Sequence, residues 1–423
     1  MSRLRFVHAA DLHLDSPFTG LSTTAPQVAG SLHSATFDAY ERIISLCISE
    51  RVDALLVAGD IYDGADRSLR AQRKFVDGLY RLHQAGIRSF ICHGNHDPLN
   101  GWEARLALPP TCRCFGSDFE RVPFFADAPD RAVVYGISYP QRDVRENLVL
   151  RLGTVDHGPF SIGLLHANVD NDPNHPAYAP CTLADLARTG VDYWALGHVH
   201  TRRVLSDRAP TVIYPGNPQG RHPNERGERG VYLVEVDDFG GIRLDFRPVD
   251  TIRWAEVARD IVRMDTEDAL LEALHRTVAE SLDEADGRSL IVRIALTGRG
   301  PLHTSLLRPD TIPHLAESLN EEWAARRPFV WCDRIVDATA SPFDRNKRVE
   351  GADFIADLLR LSAQAGEDDT LLEELRKSLS DLYDHRVVGR LLRDHVPTDD
   401  DMKALVAEAE EIAVNLLLGE DER

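Results

Sequence analysis

The sequence predicts an α/β fold. Two packed sheets flanked by helices occupy residues 1–250, a small α+β capping domain 251–345 and a helical region 346–423. Three observations predict this. Apolar runs alternate with amphipathic helices through the first 100 residues. From about residue 110, strand-like segments separated by turns follow one another. Beyond about residue 350 only helical periodicity remains.

The first strand is the apolar run 4–9. Residues 34–50 place Phe37, Tyr40, Ile43, Ile44, Cys47 and Ile48 on one helical face. Residues 54–58 are wholly apolar and end at Gly59, and residues 68–84 are helical through Leu69, Phe75, Val76, Leu79 and Leu82. A third strand, 87–92, precedes Gly94. This β-α-β-α-β order implies parallel neighbours covered by helices. Strands are then expected at 132–139, 161–166, 193–196, 211–214, 230–236 and 242–249. Several follow without an intervening helix, so this half should be partly antiparallel. The region after 250 reads as helix 266–286, strand 289–296, helix 313–325 and strand 329–336. Helices 353–361, 370–383 and 400–418 complete the chain, with Thr398 placed to cap the last.

The chain carries 48 basic and 68 acidic residues, a net charge of −20. Residues 1–250 hold 26 basic and 31 acidic side chains (−5), and the remainder 22 and 37 (−15). This excludes a simple basic nucleic-acid coat and leaves the first 250 residues as the better partner for a polyanion. Six cysteines without a CxxC pair suggest reduced thiols and a cytoplasmic location. No signal-peptide pattern and no run of about 18 apolar residues is present, so no membrane association is expected.

The chemistry lies at the strand ends. Asp11-Leu-His13 follows the first strand, Gly59-Asp60-Ile-Tyr-Asp63 the second and Gly94-Asn95-His96-Asp97 the third. His166 ends a strand, and Gly197-His198-Val-His200 follows another. Ligands of open α/β sheets collect at the carboxyl ends of strands, so these segments can converge. Asp, His and Asn are oxygen and nitrogen donors suited to manganese, iron, zinc or magnesium. Seven donors are too many for one four-coordinate ion and suit two. Two cations about 3.5–4 Å apart can clamp an in-line phosphoryl displacement. Asp60 can bridge them through its two oxygens. His175 is a rival to His166, but it lies in a Pro/Asn-rich loop. The arginines Arg67, Arg70 and Arg73 with Lys74, and the cluster Arg221, Arg226 and Arg229, could meet DNA phosphates. The first group reads equally as the wet face of its helix, and the second reads rather as a solvated loop, diluted by Glu225 and Glu228.

The ordered set DxH, GDxxD, GNHD, a strand-end His and GHxH resembles the calcineurin-like metallophosphoesterases, with all five blocks present over residues 11–200. Within them, the opening Phe6-Val-His-Ala-Ala-Asp-Leu-His-Leu-Asp-Ser-Pro-Phe18 is similar to SbcD-type DNA-repair exonucleases, and most to the YhaO group. The segment Tyr214-Pro-Gly-Asn-Pro-Gln-Gly220 also resembles that branch. The resemblance implies that Asp11, His13, Asp60 and His200 hold one metal, and Asp60, Asn95, His166 and His198 the second. Manganese is the expected ion. It implies a hydroxide attack on phosphorus, with His96 at the phosphate and Asp63 orienting it. Nuclease relatives outside the bacteria carry His at the Asp63 position, a departure that bears on exonuclease polarity. The implied partners are DNA, contacted by Arg221, an SMC-like ATPase of the SbcC type bound through the C-terminal helices, and a second copy of the chain. The expected function is a metal-dependent DNA exonuclease acting at DNA ends in repair. The alternatives are a small-molecule phosphodiesterase and a non-enzymatic DNA-end tether.

Overall fold

The computed structural model describes residues 4–21, 26–64, 68–101, 106–155, 158–172, 176–340, 342, 345–379 and 397–421. The chain divides into two units. The first comprises residues 1–256, 278–293 and 318–334, and the second 257–277, 294–317 and 335–423.

In the first unit, two six-stranded sheets form the sandwich. One contains β1 (Leu4–Ala9), β2 (Ala54–Ala58), β3 (Arg88–Cys92), β4 (Cys112–Cys114), β11 (Gly230–Val236) and β12 (Ile242–Pro248), in the order β12-β11-β1-β2-β3-β4. The other contains β5 (Glu120–Pro123), β6 (Ala132–Gly136), β7 (Phe160–His166), β8 (Tyr193–Gly197), β9 (Arg203–Ser206) and β10 (Thr211–Tyr214), in the order β5-β6-β7-β8-β10-β9. Strands β1 to β4 run parallel, and so do β6, β7, β8 and β10. Antiparallel pairing is confined to β5, β9, β11 and β12. The expected division into a parallel and an antiparallel half is therefore replaced by two mixed sheets. The β6–β7 and β7–β8 connections are long enough to cross over, carrying a 3-10 turn (Leu148–Arg151) and helix α3 (Leu183–Arg188), so their strands pair in parallel.

Alternation along the strands builds three apolar layers. Val7, Val57 and Ile91 pack on helices α1 (Ala29–Ser49) and α2 (Leu69–Gln84) through Tyr40, Ile43, Phe75 and Leu79. Phe6, Leu56 and Phe90 point the other way and meet Phe124, Ile162 and Tyr193 between the sheets. Trp194, Leu196 and Val212 line the outer layer of the second sheet with Leu148 and Leu186. Helix α1 begins five residues before the expected start. Its added turn supplies Leu32, which packs in a further cluster with Ile252, Trp254 and Trp331. Ser68 caps α2 by accepting from the Ala71 amide at 3.0 Å.

A third sheet has the order β13 (Ile252–Asp260), β14 (Ser289–Arg299), β15 (Val330–Ala340). In the second unit, helix α8 (Phe354–Glu367) and the last helix, α10 (Asp399–Asp421), share a small core of Ile355, Leu359 and Val414. The intervening helices are α4 (Glu267–Glu284), α5 (His303–Leu306), α6 (Thr311–Trp323), α7 (Arg345–Val349) and α9 (Asp369–Ser378). Residues 380–383 of the expected helix 370–383 lie outside the described residues. Thr398 caps α10 reciprocally with Asp401: its hydroxyl accepts the Asp401 amide at 3.2 Å, and the Asp401 carboxylate accepts the Thr398 amide at 2.8 Å. No helix among the described residues is long and apolar enough to cross a membrane.

Candidate active site

All five blocks converge at the carboxyl ends of the parallel strands, drawing on both sheets. The turns that bring them together are unusual. Asp11 (φ 53°), His13 (φ 43°), Asp60 (φ 51°) and His198 (φ 102°) all have left-handed backbones, which non-glycine residues adopt only when their surroundings impose it. Main-chain bonds impose it at the first two blocks, and at the last the Asp11 carboxylate accepts the His198 amide at 3.0 Å. The Asp11 amide donates to Gly59 O and the His13 amide to Asp60 O, each at 3.0 Å. The Asp97 carboxylate joins the second and third blocks, accepting the Gly94 amide at 2.7 Å and the Ile61 amide at 2.8 Å. Gly94 leaves room for the donors: a Cβ there would lie 2.3 Å from Asp60 Oδ1.

Four of the imidazoles, those of His96, His166, His198 and His200, are oriented by a partner on one ring nitrogen. His166 Nδ1 donates to Ala58 O at 3.0 Å, so Nε2 faces Asn95 Oδ1 (3.0 Å) and Asp60 Oδ2 (3.3 Å). His198 is reversed, with Nε2 on Pro176 O at 2.9 Å and Nδ1 3.2 Å from Asn95 Oδ1. His200 Nδ1 meets Glu225 at 2.7 Å, which turns its Nε2 to within 3.1 Å of His13 Nε2. His96 places Nδ1 2.7 Å from Asp63 Oδ1, and its amide donates to Asp60 Oδ1 at 2.9 Å.

The donor set fits divalent cations. Asp11, His13 and His200 place ligand atoms within 4.8 Å of one another, and so do Asp11, Asp60 and His166. His13 Nδ1 is buried without a hydrogen-bond partner, and at 3.8 Å from Asp63 it is too far to make one. The electrostatics follow from buried carboxylates and imidazoles facing one another. Burial would raise the Asp60 carboxyl, yet His166 and His13 outweigh it and hold Asp60 well below the usual carboxylate range. Burial opposes protonation of His166, but Asp60 and Asp11 raise it to about 9. Burial pushes His13 down to about 3. His96 is shifted upward, with Asp63 and Asp60 overcoming its burial.

The structure thus brings together Asp11, His13, Asp60, Asp63, Asn95, His96, His166, His198 and His200. Arg221 stands beside them, its Nη1 3.2 Å from Asp63 Oδ2 and bonded to the Ser16 hydroxyl. Arg226 is turned away to Glu256. Arg67 and His175 lie outside the described residues. Sequence reasoning missed Glu225 as a partner of His200 and Ser16 as a donor to Asp63; Arg229, offered by the sequence as a possible phosphate contact, places Nη1 on His200 O and Asn217 Oδ1. No spacing signal could have found Glu225, which is 25 positions from His200.

Comparison with known proteins agrees with this geometry. The calcineurin-like phosphoesterase family matches residues 4–202, and the middle domain of metallophosphoesterase YhaO matches residues 254–340. The uncharacterized metallophosphoesterase YhaO of Bacillus subtilis is 37% identical over 80% of this chain and 83% of its own. The DNA double-strand break repair protein Mre11 of Sulfurisphaera tokodaii is 25% identical over 71% of this chain and 75% of its own. The SbcD component of the nuclease SbcCD of Rhodobacter capsulatus is 35% identical, over 25% of this chain and 24% of its own. The fold and the donor set imply a pair of divalent metals. By its sequence, its two mixed sheets and its converging donors, the chain belongs to the calcineurin-like metallophosphoesterases and, within them, to the YhaO family.

Proposed function

We propose that this metallophosphoesterase is a manganese-dependent exonuclease that hydrolyses phosphodiesters at DNA ends, with an SMC-like ATPase as its partner. The observation that carries the hydrolytic reading is the 2.7 Å contact between His96 Nδ1 and Asp63 beside the donor cluster. A tether that kept metals only for shape would not need it. DNA as substrate is supported by the relatives named for double-strand break repair and for the SbcCD nuclease. The ATPase partner rests on the same relatives.

Asp11, His13, Asp60 and His200 would hold one cation, and Asp60, Asn95, His166 and His198 the other. The absence of thiolate among these donors favours manganese, iron, zinc or magnesium. When bound, the cations would supply charge against the phosphodiester and lower the pKa of water at the site. The chain's own contribution is orientation and proton delivery. Asp63 holds the Nδ1 proton of His96 and leaves Nε2 to the substrate, where it stabilises the developing charge and protonates the departing oxygen.

The test is digestion of end-labelled linear duplex DNA with Mn²⁺, comparing the wild type with His96→Ala. The wild type should degrade the DNA. His96→Ala should be roughly 10²–10⁴-fold slower with its metal content unchanged. Turnover of bis-p-nitrophenyl phosphate without DNA degradation would move the substrate to a small diester.

A further inference from the structure

We propose that Arg221 is a positioning residue for His96, acting through Asp63, rather than a contact for substrate phosphate. The inference rests on the phosphodiesterase reading above. The two oxygens of Asp63 have separate partners. Oδ1 takes the His96 ring at 2.7 Å. Oδ2 takes the Ser16 hydroxyl and Arg221 Nη1, the latter at 3.2 Å. Arg221 Nη1 also binds Ser16, which closes a three-membered network on one side of the carboxylate.

This network has a task. The Asp63 side chain is 34% exposed and lies in a turn, so packing alone does not fix its rotation. A carboxylate that turns leaves His96 Nδ1 without its acceptor, and Nε2 is then no longer aimed. Anchoring Oδ2 prevents that turn. Arg221 is suited to anchoring and poorly placed for substrate. Its side chain is only 11% exposed, and its Nε is buried. Its main chain is also fixed, because its amide donates to Glu225 Oε2 at 2.7 Å. The other oxygen of Glu225 meets His200 at 2.7 Å. One loop therefore orients His96 at one end and a metal-donor histidine at the other.

The test is a double-mutant cycle on bis-p-nitrophenyl phosphate with Mn²⁺, using Arg221→Met, His96→Ala and both together. Arg221→Met should lower kcat roughly tenfold to a hundredfold, with KM little changed. It should cost nothing further in the His96→Ala background. Arg221→Lys should recover part of the loss, because a single nitrogen makes both contacts. A rise in KM at unchanged kcat, or a full additional loss beside His96→Ala, would overturn the proposal. A second readout needs neither metal nor activity. In the crystal structure of metal-free Arg221→Met, Asp63 should have left His96; a contact still at 2.7 Å overturns the proposal. If Arg221→Met does not fold, Arg221→Lys and Ser16→Ala carry both measurements. Wild-type protein inactive on every diester would sink the phosphodiesterase reading, and the crystallographic comparison would still decide the role of Arg221.

Discussion

The donor cluster is held by two different means. Asp11, His13 and Asp60 stand in left-handed turns joined by main-chain bonds between strand ends, and His198, also left-handed, has its amide held by the Asp11 carboxylate at 3.0 Å. His96 and His200 depend instead on carboxylates, Asp63 and Glu225. The first group is a consequence of the fold, since its geometry follows from the strand register. The second can be disturbed by one side chain without touching a strand. The difference teaches where chemistry and stability separate: they should fail together in the first group and apart in the second.

The largest expected effect removes charge from the backbone-held group. Asp60→Asn keeps a residue type that tolerates the left-handed turn. It should still lose about 1000-fold or more in activity together with bound metal, measured by turnover and elemental analysis. Two-metal occupancy in that variant would count against a bridging role for Asp60. In the carboxylate-held group, Glu225→Gln should weaken metal affinity about 10–100-fold while leaving the thermal midpoint close to wild type. A large drop in midpoint would erase the distinction between the groups.

Gly94→Ala sharpens the comparison from the other side. Its Cβ would meet Asp60 Oδ1 at 2.3 Å and His166 Cε1 at 2.8 Å. It should destabilise the fold by about 1–3 kcal/mol in urea titration, and lower metal affinity with it. An effect seen only as pH falls concerns His8, buried in the core and bonded to the Tyr193 hydroxyl at 3.0 Å and to Leu196 O at 3.2 Å. Burial pushes this imidazole down to about 3, below its ordinary 6.5. The unfolded chain therefore takes up a proton that the folded chain refuses between those values, and stability falls as pH drops through that window. The slope attributable to His8 is about 1.4 kcal/mol per pH unit. His8→Gln should show a shallower decline than the wild type between pH 6 and pH 4; parallel curves would remove the assignment.

The backbone-held half was legible in the sequence. Short apolar runs ending in Gly, Asp, Asn or His state both the strand and its functional end, and the five blocks occur in order. The strands that went unread are short or polar. Cys112–Cys114 and Glu120–Pro123 lie at sheet edges, where no continuous burial enforces an apolar pattern. In Ile252–Asp260 burial is complete only over the first three residues, and Glu256 breaks the apolar alternation. The carboxylate-held half was half legible. Asp63 was visible through its motif, but Glu225 and Ser16 were not, because neither spacing nor residue type marks a side chain that acts through another. The sequence offers Arg221 as a phosphate contact because its charge is visible there, whereas its burial, with 11% of the side chain exposed, is not. In the last helix Met402 and Val414 are buried, whereas Leu405, Ile412 and Leu416 are exposed.

Strand β1 has β2 on one side and β11 on the other, with Leu4 facing Val236. A ribosome adds about 5–20 residues per second, so β1 waits roughly 10 to 50 seconds after its synthesis for β11 to follow. During that interval it offers an open edge of unpaired main-chain groups, the kind of surface on which chains aggregate. A fragment cut at residue 202, where the match to the phosphoesterase family ends, would keep that edge open permanently even though it contains all seven proposed metal donors. Expression of the catalytic region on its own therefore has to extend through β12, to Pro248 or beyond.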